Sequence, residues 1–81
     1  MKALIHVTLK RDVLDPQGKA IARASASLGY DRVREVRQGK LFEIDLDAPD
    51  EARARPLLEE LCQKLLANPV IEDYTIVRID P

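Results

Sequence analysis

The sequence predicts an α+β fold with two layers: a three-stranded antiparallel sheet with a long, bent middle strand, and two helices on one of its faces. The order is strand, helix, strand, helix, strand. Three observations predict it. Separate stretches alternate apolar and polar residues with the period of a strand. Two others carry apolar residues at helical spacing. Each junction between them is punctuated by Pro, Gly, Asp or Asn. The 81 residues make one small domain, 1–81. A domain this short buries a modest core and is often completed by a partner or by its own copy.

Residues Lys2 to Lys10 form the first strand. Ala3, Ile5, Val7 and Leu9 face one way, and Leu4, His6, Thr8 and Lys10 the other. The stretch Leu14-Asp15-Pro16-Gln17-Gly18-Lys19 then stops the strand and starts a helix. Asp15 is a good N-cap, because its carboxylate accepts the free amide hydrogens of the first turn. Pro16 falls at the first helical position, where its fixed φ suits the helix and no amide hydrogen is needed. Gly18 is out of place, since a glycine inside a helix costs on the order of 1 kcal/mol relative to alanine. It is either a tolerated residue in a fraying turn or a point where another backbone or ligand passes close. Ile21, Ala24 and Leu28 lie at helical spacing up to Gly29, the usual helix stop.

The stretch from Val33 to Asp47 is the longest extended one. Gln38-Gly39 in its middle is a bulge in one long strand or the turn of a hairpin. Val36, Phe42, Ile44 and Leu46 share one parity, which favours one long, bent strand. Ala48-Pro49-Asp50 is a turn and a second helix start, where Asp50 and Glu51 suit the positive end of the helix dipole. Leu58, Leu61, Leu65, Cys62 and Leu66 give that helix a broad apolar stripe. Pro56 interrupts it: the helix proper begins only a few residues earlier, or it kinks there. Asn68-Pro69 closes the helix. In the last strand, Ile71 to Ile79, Tyr74 and Ile76 point one way and Thr75, Val77 and Ile79 the other.

These elements resemble a ferredoxin-like unit, complete if the middle stretch is a hairpin. The second face of the sheet carries Leu4, His6, Leu41 and an apolar part of the last strand. It is the candidate for self-association.

Composition removes several function classes. Thirteen basic residues stand against 14 acidic ones, which argues against a dedicated nucleic-acid binder. With no Trp, one Phe and two Tyr, there is no aromatic platform for stacking bases. Cys62 is the only cysteine, which fits a reducing compartment. No apolar run is long enough to span a membrane. The first residues alternate as a strand with no signal-peptide pattern, so the expected location is cytoplasmic.

Catalytic groups are scarce. His6 is the only histidine, and a lone strand histidine is more often an interface residue than a base. Cys62 lies on an apolar stripe, where packing is its ordinary role. No cysteine–histidine cluster has metal spacing, and there is neither a Walker loop nor a GxGxxG. The pairs Asp45/Asp47 and Glu59/Glu60 read as solvated charges. Arg32, Arg34, Arg37 and Lys40 form one basic cluster around Gly39. It suits a phosphate or a partner's carboxylates, or equally an edge that discourages aggregation. The residues alone thus describe a subunit or a binding module without an active site of its own.

Three stretches together say more: Val13-Leu14-Asp15-Pro16-Gln17-Gly18-Lys19-Ala20-Ile21, then Val36-Arg37-Gln38-Gly39-Lys40, then Cys62 through Tyr74 with Asn68-Pro69 inside it. Over essentially its whole length the chain resembles the PurS family, the small subunit of phosphoribosylformylglycinamidine (FGAM) synthase. Gln63, where the family more usually has Glu, and Pro56 depart from the pattern. The resemblance implies a subunit of an ATP- and glutamine-dependent ligase of de novo purine synthesis. This subunit has no catalytic residue and binds no cofactor or metal itself; ATP, Mg and glutamine are used by the complex. The implied partners are a glutaminase subunit, a large synthetase subunit and further copies of itself, as a dimer or higher, and the implied role is assembly and help in passing ammonia. On this reading Asp15, Pro16, Gln17, Gly18, Arg37, Gly39, Lys40, Asn68, Pro69 and Glu72 are subunit-interface residues. Arg37 and Lys40 also lie near the nucleotide phosphate, and the close approach at Gly18 is made by a partner subunit. The alternatives are a small ferredoxin-like dimeric regulatory domain that binds a metabolite, and a small dimeric enzyme with a shared site at His6.

Overall fold

The structure, a computed structural model, describes all residues from Met1 to Pro81. Strand β1 (Lys2–Leu9) is followed by helix α1 (Pro16–Ser27), strand β2 (Gly39–Asp45), helix α2 (Glu51–Leu61) and strand β3 (Glu72–Asp80). The sheet order is β2-β1-β3, and both pairings are antiparallel. The α+β class and the order of elements are those the sequence predicts.

The core lies between β1 and α2. The central strand turns Ala3, Ile5 and Val7 inward, and all three are buried. Ala54, Leu58 and Cys62 from the helix and Ala67 beyond it complete the cluster. Burying a side chain such as Ile5 or Leu58 contributes about 1.5–3 kcal/mol. Helix α2 starts at Glu51, in the turn before Pro56, and Asp50 caps it by accepting the Arg53 N–H at 2.9 Å. Pro56 faces water and the helix runs on through it to Leu61. The Ala52 carbonyl, whose hydrogen bond Pro56 cannot make, is the local cost. Past Leu61 the helix widens into a π-helical turn, Cys62–Leu66, closed by the Ala67 N–H on the Cys62 carbonyl at 3.0 Å.

Three details differ from the sequence reading. The middle strand is short. Pairing with β1 ends at Thr8 opposite Gly39, because β1 stops at Leu9 and its chain turns away. Residues 33–38 therefore run on beyond the sheet with no strand beside them, and Gln38-Gly39 is neither a bulge nor a hairpin turn but the entry to β2. The last strand changes face. A register shift between Leu4 and Ile5 puts Arg78 opposite Leu4 and Ile76 opposite Ile5. The irregularity inserts one residue, so Ile79 joins Tyr74 and Ile76 on the core side.

The first helix also stands apart. No α1 side chain enters the core, and Ile21 and Leu28 stay 46% and 75% exposed. Instead α1 lies along residues 33–38, and the two make an arm beyond the sheet. The chain is accordingly 50 Å long with a radius of gyration of 16.0 Å, where a compact chain of this length has about 12 Å.

Candidate functional site

The base of that arm, at the end of the sheet, gathers the residues singled out from the sequence. Asp15 is its centre. Its Oδ1 accepts the Gly18 N–H at 2.9 Å, which is the N-cap bond of α1. Its Oδ2 accepts the Gln38 N–H at 2.6 Å, just ahead of β2. Asp15 is only 4% exposed. The amide of Gln38, then that of Gly18, and also the nearby Arg37 charge hold its carboxyl below the usual range, against the opposing effect of burial.

Gly18 is buried. A Cβ on it would stand 2.1 Å from the Val36 carbonyl oxygen and 2.7 Å from Asp15 Oδ2. The close approach that the sequence suggested is thus made by the chain's own 33–38 segment. Arg37 is likewise turned inward. Its guanidinium donates to the carbonyls of Lys10 at 2.9 Å and Val13 at 3.3 Å, with a longer contact to Leu9 at 3.5 Å. A planar fork of donors suits this converging set of loop carbonyls. The guanidinium satisfies the turn that leaves β1 through both of its Nη nitrogens.

Lys40 and Glu72 join β2 to β3 across the end of β1. Lys40 Nζ lies 3.2 Å from Glu72 Oε2 and 6.0 Å from the Phe42 ring centre. Glu72 Oε1 accepts the Asn68 N–H at 2.7 Å. That amide first, and Lys40 second, hold the Glu72 carboxyl below its ordinary range, against burial. Asn68 orders the turn into β3: its Oδ1 accepts the Val70 N–H at 3.1 Å, and its carbonyl accepts from Ile71 and Glu72. Pro16, Gln17, Gly39, Lys40 and Glu72 line an open hollow of about 430 Å³ beside Asp15. Pro69 borders the adjoining hollow, with Glu72 again on its wall. All ten predicted residues therefore sit together at one end of the sheet, at the base of the arm.

The sequence reading missed Val36 and Gln38 as parts of this hub. Both act through the backbone, so their side chains carried no signal. Outside the hub, His6 is exposed on the outer face of the sheet and Cys62 is buried. Burial, and then the Glu59 charge, push the Cys62 thiol up. No three His, Cys, Asp or Glu side chains are grouped so as to hold a metal ion. No helix is long and apolar enough to cross a membrane. The outer face keeps Leu41 and Val77 exposed.

A small α+β unit with an exposed arm and an open hollow, in which Asp15, Arg37 and Glu72 hold the chain's own loops, has the form of a module for assembly. Residues 2–80 match the family model described as PurS, Phosphoribosylformylglycinamidine (FGAM) synthase. The chain belongs to the PurS family. A relative from Synechocystis sp., named Phosphoribosylformylglycinamidine synthase subunit PurS, is 53% identical over 86% of this chain and 70% of its own length. Among solved structures, PurS of Methanocaldococcus jannaschii is 41% identical with a TM-score of 0.84, covering 98% of each chain. A chain in the structure of PurLQS from Thermotoga maritima is 26% identical with a TM-score of 0.84, covering 98% of this chain and 99% of that one. These likenesses favour a synthase subunit over a metabolite-binding regulatory domain.

Proposed function

We propose that this chain is the non-catalytic small subunit of an FGAM synthase in de novo purine biosynthesis. It assembles a glutaminase and an ATP-dependent synthetase and assists the passage of ammonia between them. The observation that carries the reading is the family match across residues 2–80. The complex converts formylglycinamide ribonucleotide, glutamine, ATP and water into formylglycinamidine ribonucleotide, glutamate, ADP and phosphate. ATP, Mg and glutamine are bound by the larger subunits, and the complex works in the cytoplasm. The part of this chain is geometric. Holding two active sites together raises the effective concentration of the intermediate at the second, and shielding it prevents side reactions.

Residues 1–81 act in this as one unit that self-associates as a dimer or higher. The ten hub residues serve in two ways. Pro16, Gln17, Gly39 and Pro69 are exposed and meet the larger subunits. Asp15, Gly18, Arg37, Lys40, Asn68 and Glu72 hold the loops that present them. Reconstitution tests this. With the small subunit left out, FGAM formation from glutamine should be lost, while formation from added ammonium salt should persist. Full glutamine-dependent activity without it would overturn the reading. Gln17→Arg should weaken co-purification with the larger subunits and leave the Tm of the free subunit unchanged.

A further inference from the structure

We infer that a hollow between α1 and residues 33–38 takes the phosphate groups of a small phosphorylated molecule, held by Lys19, Arg23 and Arg34. The site uses none of the ten hub residues and does not rest on the assembly role proposed above.

The hollow has a volume of about 230 Å³. Half-buried Ala22 and Val36 line it together with the exposed Lys19, Arg23, Arg34 and Glu35. Two elements supply the cations. Lys19 and Arg23 stand four residues apart on α1, so they project side by side from one face of the helix. Arg34 comes from the segment that α1 lies along. Ala22, with its short side chain, leaves the space open.

No carboxylate of the chain neutralises this group. Lys19, Arg23 and Arg34 take no part in any of the six ion pairs. The one acid on the wall, Glu35, lies 3.8 Å from Arg11. Like charges four apart on a helix repel, and α1 contains no acidic residue to relieve them. The second helical stretch is built differently: Arg55 faces Glu51 and Lys64 faces Glu60, four residues apart in each case. Of the basic cluster seen in the sequence, Arg37 is turned to loop carbonyls and Lys40 to Glu72, while Arg34 is left at the hollow. Charge is also segregated along the chain. Residues 10–38 hold seven basic and four acidic side chains, whereas the rest hold six and ten. An anion is therefore drawn to the arm rather than to the sheet.

Shape and chemistry say which anion. Guanidinium groups present paired donors that match phosphate oxygens, and the lysine adds a point charge. Sites for whole drug-sized ligands occupy roughly 300–1,000 Å³, so this hollow has room for phosphate groups and not for a nucleoside as well. No aromatic ring lines it, so a base finds nothing to stack on. The grip is on phosphate alone, and affinity follows the number of phosphate groups rather than the base.

Isothermal titration calorimetry on the full chain at low salt tests this, with circular dichroism to confirm the fold of each variant. Pyrophosphate, ADP and GDP should bind alike, inorganic phosphate more weakly, and adenosine not at all. Arg23→Gln with Arg34→Gln should weaken pyrophosphate binding at least about tenfold. Arg23→Lys with Arg34→Lys keeps the charge but loses the planar forks, and should fall between that variant and the natural chain. Lys2→Gln with Arg53→Gln removes the same charge from exposed positions elsewhere and should leave binding unchanged. Pyrophosphate that fails to bind at millimolar concentration, equal losses in the two Gln pairs, or ADP bound at least about tenfold more tightly than GDP and pyrophosphate would overturn the site. So would a natural chain that ignores pyrophosphate while the Arg23→Gln, Arg34→Gln variant loses co-purification with the larger subunits; the three cations would then meet a partner's carboxylates.

Discussion

Asp15 and Gln38 are joined by one hydrogen bond of 2.6 Å from the Gln38 amide to the Asp15 carboxylate. With its other oxygen the same carboxylate caps α1. One side chain thus sets both the start of the helix and the point where the chain re-enters the sheet. Because α1 adds nothing to the core, this clasp, the guanidinium of Arg37 and the contact at Gly18 hold the arm in place of hydrophobic packing.

Replacing Asp15 with Asn should show this directly. A carboxylate held below its ordinary pKa in the folded state contributes stability that is present above its unfolded value of about 3.9 and lost as pH falls through the lower folded value. Thermal unfolding of the natural chain should therefore weaken on acidification below about pH 4. Asp15→Asn should be less stable near neutrality, by roughly 5 °C in Tm at fixed protein concentration. It should also lose part of the acid dependence, while the share due to Glu72 remains. Parallel pH profiles for the two proteins would count against the clasp.

For Gly18→Ala, helix propensity alone forecasts a gain of about 1 kcal/mol. The Val36 carbonyl, 2.1 Å from the new Cβ, reverses the sign, because backbone atoms must move apart. The variant should lose about 1–3 kcal/mol in urea unfolding. A stabilised variant would mean that α1 moves away from 33–38 at little cost.

Arg37→Lys keeps the charge and loses the planar fork that reaches the carbonyls of Lys10 and Val13. It should destabilise the free subunit by about 1–2 kcal/mol, with faster amide exchange across residues 10–18. If stability is untouched and only assembly suffers, Arg37 belongs to the interface after all.

Tyr74 donates its hydroxyl to Glu59 and accepts from Gln63 at 3.3 Å, tying β3 to the end of α2. Glu59 first, and burial to a lesser degree, push the phenol up, with Gln63 opposing. Ultraviolet titration should place Tyr74 above the ordinary value of about 10, and Glu59→Gln should bring it down. A raised folded value means that stability falls as pH rises past about 10. Tyr74→Phe should cost about 1 kcal/mol in urea unfolding and remove that alkaline loss.

What the sequence determined by itself is local. The caps at Asp15 and Asp50, the proline at the first turn of α1, the stop at Gly29 with its φ of +94°, the alternation of β1 and the stripe of α2 all rest on residues within a few positions of one another. A family likeness, which the comparison bears out, singled out the ten residues that the fold then brings together. Tertiary structure decided what depends on segments far apart. Gly18 is required by a carbonyl on another segment, Arg37 is turned inward by the carbonyls of a loop it does not adjoin, and an inserted residue in β3 sends Ile79 to the core side. Contacts between segments distant in sequence set each of these. A strand's neighbour and register are fixed by long-range contacts, and a register changed by one residue exchanges inside for outside without any mark in the local pattern.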